Sequence, residues 1–183
     1  MKATDELMSE HRVIERVIAV LENGALQLEQ GKAVRPGLFI EATDFSRGFT
    51  DGCHHKKEEG VLFPAMVTHG VPNQGGPVGM MLAEHEQGRL LTRALRSAAQ
   101  RLESGDGSAA QEVINTARSY SQLLRQHIMK EDRILFPMAA QVLPPAEQDR
   151  VADGFEHIEH EETGEGVHEK YLALADKLAG ELG

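Results

Sequence analysis

The sequence predicts an all-α protein: an antiparallel up-down four-helix bundle with an additional helical segment at the C-terminal end. Three observations predict it. Leu, Ala, Glu, Gln and Arg are plentiful, while aromatic residues are only 4% of the chain and Trp is absent, which favours helix over a strand-rich sandwich. Long stretches place an apolar residue every three to four positions, the spacing of a helix with one buried face. A motif also recurs. His54-His55-Lys56-Lys57-Glu58-Glu59-Gly60-Val61-Leu62-Phe63-Pro64 aligns without a gap on His127-Ile128-Met129-Lys130-Glu131-Asp132-Arg133-Ile134-Leu135-Phe136-Pro137, seventy-three residues further on. The 183 residues suffice for one domain whose core needs no disulfide staple.

The first helix is expected to start at Thr4-Asp5-Glu6, polar capping residues with acidic groups in the first turn. Its inward stripe is Leu7, His11, Ile14, Ile18, Leu21, Ala25 and Leu28, and Gly31 and Pro36 mark the break that follows. A second helix runs from about Pro36 to His69. Phased on His54, its stripe takes Arg47, Asp51, Glu58, Val61 or Leu62, and Ala65. Phe45 and Phe49 fall off that stripe, so a second face must be covered, by the C-terminal segment or by another subunit. Pro64 lies inside the pattern and is expected to kink the helix or to follow its end.

Gly70 to Pro77 reads as a loop. The third helix starts near Pro77, carries Met81, His85, Thr92, Leu95 and Leu102 on one face, and stops around Ser104 to Gly107. The fourth runs from about Ser108 to Gln141, with Tyr120, Leu124, His127, Glu131, Ile134 and Met138 inward and Pro137 in the place of Pro64. Pro144-Pro145 end the unit. The bundle is therefore assigned to residues 1–145, and a Glu- and His-rich helical extension, interrupted at Gly164 and Gly166, to residues 146–183.

The repeat extends beyond the motif. Glu10-His11 precedes His54 by about the interval that separates Glu84-His85 from His127. Each half thus holds a helix with one inward His, a connector, and a helix with His-x3-Glu. Residues i and i+4 share a helix face ~6 Å apart along the axis, so each motif offers an imidazole beside a carboxylate. Two halves packed antiparallel aim His11, His54, Glu58, His85, His127 and Glu131 at a common interior point. Such groups are costly to bury unpaired, and a metal-free network of six would be hard to satisfy internally. A cation resolves the cost. Imidazole with carboxylate suits Fe, Mn or Zn, and the lone Cys disfavours a thiolate site. Two Glu residues with an oxo, hydroxo or water bridge would hold two Fe ions, as in other two-metal sites. The order His-x3-Glu and the excess of nitrogen differ from the Glu-x-x-His, carboxylate-rich pattern of ferritin-like bundles.

On these residues the chain resembles the hemerythrin-like (HHE cation-binding) family over about residues 5–141, in the order His…His-x3-Glu…His…His-x3-Glu with each pair running into Leu-Phe-Pro. The resemblance implies a four-helix bundle around a non-haem di-iron centre, with His11, His54, Glu58, His85, His127 and Glu131 as iron ligands. Members of the family bind or sense O2, sense iron, handle peroxide or NO, or help repair iron centres. The expected function is redox or stress handling of O2, H2O2 or NO at iron, with an electron donor that the sequence does not name. The alternative is a module that binds or senses O2 or iron without turnover. A third class is a Zn-loaded or metal-free scaffold. Oxygen-carrying hemerythrins use five His and two carboxylates. Only four His match here, which shifts the expectation toward a more open, reactive centre.

Other residues receive plainer expectations. His55 and Glu59 repeat the His-x3-Glu spacing but are rotated ~100° from the first pair. Ile128 stands opposite His55 in the repeat, so His55 is expected beside the site or at the surface. Glu10 and Glu84 are expected in solvent, with a supporting hydrogen bond to a ligand as the alternative. His157, His160 and His168 are expected on a solvated face, and His69 lies too far along its helix to reach the site. Cys53 is expected to be a small buried hydrophobe. Gly88, one turn after His85, would leave room for a small ligand or for close helix packing, and Tyr120 would be core or reach toward the metal. The net charge of −10 argues against nucleic acid and anionic membranes as partners. No apolar run approaches a membrane span and no signal peptide is seen, so a cytoplasmic protein is expected, with homo-oligomerisation open.

Overall fold

In the computed structural model, which describes residues 1–164 and 166–181, the described chain is helical with no strand. Six helices follow in order: α1 Lys2–Glu29, α2 36–68, α3 Pro77–Glu103, α4 110–142, α5 145–163 and α6 Val167–Glu181. The first four form the antiparallel bundle, with α4 against α1 and α3, and α2 against α3. Residue 165, in the expected break, and residues 182–183, at the end of the expected extension, lie outside the described residues.

Start signals act largely as elementary chemistry requires. Pro36, Pro77 and Pro145 each stand in the first turn of a helix, where a missing N–H costs nothing. The Asp106 carboxylate accepts from the Ser108 backbone N–H before α4. The first helix differs from expectation. It begins at Lys2, and Thr4 does not cap it but donates its hydroxyl back to the Met1 carbonyl at 2.9 Å.

Neither Pro64 nor Pro137 breaks its helix. Just before each one the chain widens into a π-helical turn, Glu58–Leu62 and Glu131–Leu135, and α-helix resumes at Phe63 and Phe136. A proline ring collides with the carbonyl four residues back, and the widened turn relieves that collision by accommodating one extra residue. Another π-helical stretch, Ser46–His54, precedes the first motif. Each such turn rotates the inward stripe. Beyond Glu131 the buried positions are Leu135 and Ala139, while Ile134, expected inward, is 55% exposed. Leu62 and Met66 are buried where Val61 was the alternative, and Arg47 is 75% exposed.

The interior divides into two apolar clusters. One holds Ile14, Leu21, Phe45, Phe49, Leu95, Tyr120 and Leu124. The other holds Leu7, Phe63, Met66, Met81, Leu135 and Phe136. The last two helices contribute to both: α6 adds Ala175 and Leu178 to the first, α5 adds Val151 and Phe155 to the second. Phe45 and Phe49 meet α6 through Tyr171 and His168, with ring centroids 6.3 and 5.2 Å apart, so this chain's own segment covers that second face.

The approach of α6 to α2 depends on Gly48. A Cβ there would lie 1.8 Å from the Tyr171 hydroxyl and 1.9 Å from its Cζ. Gly48→Ala is therefore expected to drive the half-buried Tyr171 ring from its place against Phe45 and so loosen α6, at a cost of about 1 kcal/mol, the low end of the overpacking range. Urea unfolding reads the loss, and faster proteolysis near Gly164 and Gly166 locates it.

Candidate metal centre

His11, His54, Glu58, His85, His127 and Glu131 lie together between the two apolar clusters, each no more than 1% exposed. The structure adds a seventh group. His55, expected beside the site or at the surface, is 2% exposed and stacks on His85 with ring centroids 3.7 Å apart. The π-helical stretch ahead of the motif changes the helix phase and turns both members of the His54-His55 doublet inward. The donors fall into two overlapping sets whose atoms lie within 4.8 Å of one another: His11, His54, Glu58 and Glu131, and His55, Glu58, His85 and His127.

All five imidazoles are held alike. Nδ1 of His11 faces Asp132 at 2.7 Å, His54 faces Glu10 at 2.8 Å and His55 faces Asp51 at 2.9 Å. His85 faces Glu59 at 2.7 Å and His127 faces Glu84 at 3.0 Å. A carboxylate only accepts, so each Nδ1 carries a proton and, in the neutral ring, each Nε2 keeps a lone pair. Every carboxylate has a cation behind it. Arg12 pairs with Asp132, Lys57 with Glu10, Lys130 with Glu84, and Arg89 with both Glu59 and Asp51.

The pattern respects the repeat. Glu10 and Glu84, expected in solvent, are buried or mostly so, and each bypasses the His beside it to hold the motif His of its own half. Asp132 and Glu59, each following a motif Glu, cross to the isolated His of the other half. The doublets Glu-His and Glu-acid, present twice in the sequence, are the signal that would have found them. A lone sequence could not say that the second member of each doublet serves a different helix. The Phe of each Leu-Phe-Pro also crosses over: Phe136 stacks on His11 at 5.5 Å and Phe63 on His85 at 5.8 Å, keeping water from that end of the centre.

The inner atoms are left uncompensated by protein. Both carboxylate oxygens of Glu58 and of Glu131 are buried and accept no hydrogen bond among the described residues. His11 Nε2 and His54 Nε2 face each other at 3.0 Å, and His85 Nε2 and His127 Nε2 at 3.1 Å. Glu131 Oε2 is 3.2 Å from both His11 and His127, while Glu58 reaches His54 with one oxygen at 3.6 Å and His85 with the other at 3.4 Å. Facing lone pairs and orphaned buried carboxylates are unfavourable unless positive charge stands between them. The residues fit a metal cation bound among them, and Glu58 is the one residue that belongs to both donor sets.

Without metal, protons must serve. Burial and the neighbouring Glu131 push the Glu58 carboxyl well above its ordinary range. Burial opposes the charge on His127, but Glu131 and Glu84 outweigh it and hold the imidazole up at about 9; His11 is raised in the same way by Asp132 and Glu131. Burial and adjacent imidazoles press His55 well below its ordinary value, and burial takes His54 down to about 4 despite Glu10.

The remaining residues resolve simply. His69 bonds the Ala65 carbonyl, away from the centre. His157 and His160 are exposed, but His168 sits half-buried at the edge of Phe49 rather than on a solvated face. Cys53 is buried, its thiol pushed up to about 12 by burial and by Glu10. Gly88 is buried opposite Tyr120, where a Cβ would meet the ring at an ordinary 3.8 Å. Tyr120 itself belongs to the apolar core. No helix among the described residues is long and apolar enough to cross a membrane.

Comparison with known proteins agrees with the geometry. The family model described as hemerythrin HHE cation binding domain matches residues 2–139. An uncharacterised protein of Mycobacterium bovis and two of Mycobacterium tuberculosis are each 25% identical over 181 residues, covering 97% of this chain and 68% of theirs. No solved structure matches the chain.

Proposed function

Because the chain belongs to the hemerythrin HHE cation-binding family, we propose that its seven buried donors hold two non-haem iron ions and that the centre takes O2, H2O2 or NO. The observation that carries this is the pair of orphaned carboxylates between facing Nε2 lone pairs. His11, His54, Glu58 and Glu131 would hold one ion, and His55, His85, His127 and Glu58 the other. Bound iron would supply electrons and a coordination position for a small ligand.

The chain's own residues do the rest. Five carboxylates fix five ring tautomers and raise the basicity of the donor nitrogens. Phe63 and Phe136 exclude water. No uncommitted general base stands beside the donors, because each surrounding carboxylate already accepts an Nδ1–H. The fifth imidazole favours the second reading, a module that holds O2 or iron without turnover. It supplies the five His and two carboxylates that the resemblance attributes to oxygen carriers, and it removes the sequence argument for a more open centre.

Metal analysis with an optical spectrum tests the dinuclear iron reading, since oxo-bridged ferric pairs absorb and Zn does not. Two iron ions per chain are expected, and a chain loaded with Zn or with nothing would overturn it. Stopped-flow mixing of the reduced protein with O2 and with H2O2 then divides the two readings. A spectral change that reverses on removing O2 indicates holding, and steady consumption of oxidant indicates an enzyme.

Loading also has a pH signature. His127, held up at about 9, keeps an extra proton in the metal-free chain at neutral pH, Glu58 and His11 are shifted in the same protonated direction, and ligands must release such protons. Adding ferrous iron anaerobically at pH 7 is expected to release about one proton or more per chain, His127 supplying the first. Affinity is expected to fall as the pH drops, because protons then compete for the donors. A pH indicator in weak buffer reads the first, and titration at pH 6 and 8 the second.

A further inference from the structure

Behind the matching donors His54 and His127, the two halves of the centre are built differently at Lys57. Its side chain is fully buried, and its ammonium bonds Glu6 at 2.6 Å, Glu10 at 2.8 Å and Glu159 at 2.8 Å. Glu6 and Glu10 come from α1, but Glu159 comes from the π-helical turn that ends α5. Phe155, one turn earlier, lies under the ammonium with its ring centroid 5.9 Å away. The counterpart in the other half, Lys130, is 25% exposed and pairs with Glu84 alone among the described residues.

A buried ammonium is tolerated only when its hydrogen-bonding capacity is met by well-placed acceptors. Lys57 has three protons and three carboxylates, so each acceptor fixes its direction toward the others. The chain of contacts runs Glu159, Lys57, Glu10, His54 Nδ1. The geometry points to Glu159 as a positioning residue: through Lys57 and Glu10, the α5 segment sets the orientation of His54, the donor of the two-nitrogen position, while His127 is held without it. Cys53 and His168 crowd the same spot, within 4.8 Å of Glu10 and Glu159. They do not make it a further cation site, because the ammonium already occupies both carboxylates.

Removing the Glu159 charge leaves Lys57 anchored from α1 only and lets Glu10 swing with it. The test uses Glu159→Gln in the full chain, with Phe155→Leu as a variant that loosens α5 without altering charge. In the metal-free protein, proton NMR of imidazole N–H groups is expected to show the His54 Nδ1–H exchanging with water ~10-fold faster in Glu159→Gln, with His127 Nδ1–H unchanged. The second readout rests on the dinuclear reading. After anaerobic loading with ferrous iron, a colorimetric chelator is expected to strip one of the two ions ~3–10-fold faster from Glu159→Gln, the other at the parental rate.

Phe155→Leu is expected to lower the urea midpoint without producing either asymmetry. Equal His54 exchange in parent and Glu159→Gln overturns the inference, and so does a Phe155→Leu variant that reproduces the selective change. A parent chain that fails to retain iron would count against the functional reading instead, and the metal-free readout would still decide this one.

Discussion

Glu58→Gln is expected to abolish tight binding of both metal ions while leaving the metal-free fold as stable as before. The two halves of that outcome have one cause. Glu58 is fully buried, accepts no hydrogen bond among the described residues, and reaches imidazoles of both donor sets, His54 with one oxygen and His85 with the other. In the metal-free chain burial and Glu131 raise it well above the ordinary carboxyl range and so disfavour its charge, and a neutral amide of the same shape is expected to change stability by less than ~1 kcal/mol. With metal present the amide would offer one neutral oxygen where the parent carboxylate would offer two anionic ones, one beside His54 and one beside His85. The parent is expected to gain about 4 kcal/mol at ferrous iron 1,000-fold above its dissociation constant, and the variant almost none. Urea unfolding with and without iron measures both. Equal stabilisation of parent and variant by iron would remove Glu58 from the centre.

His55→Ile gives the second large effect. Isoleucine stands at the matching place in the other half, Ile128, so the variant makes the two donor sets alike in nitrogen count. Loss of one of three nitrogens is expected to weaken one ion by about 100-fold or more, the upper part of the range for losing a supporting partner and exceeded when a ligand itself is lost. Asp51 loses its imidazole and keeps Arg89 at 3.5 Å. If the fifth imidazole is what favours holding O2 over consuming it, the variant reacts irreversibly with O2 where the parent reverses. Iron content per chain and the same stopped-flow trace check both points. A variant retaining two ions at parental affinity would mean that His55 is only a stacked neighbour of His85.

The architecture and the burial of six His and Glu side chains at one place were legible because a repeat removes ambiguity. One His-x3-Glu pair has many uses, but two in matching positions, each preceded by an isolated inward His, leave few arrangements. What was not legible traces to helix phase and to crossing partners. A strict count of 3.6 residues per turn carries the stripe from Glu131 to Ile134, whereas the proline-linked π-turn delivers Leu135 to the interior. The same effect ahead of the first motif brought in His55. Glu10 and Glu84 were misread because residues adjacent along a helix point in different directions. Glu10 does point away from His11, and what it meets there is an imidazole of α2 instead of water.

The ring of outer carboxylates closes on itself when the two halves are exchanged: Glu10 and Glu84 serve their own half, Asp132 and Glu59 the opposite one. Two identical half-length chains could therefore assemble those four imidazole–carboxylate pairs as a twofold dimer, but any change would then appear on both sides at once. His55 opposite Ile128 is a difference that only a fused chain can hold. Covalent continuity is thus what permits one donor set to be tuned independently of its mate.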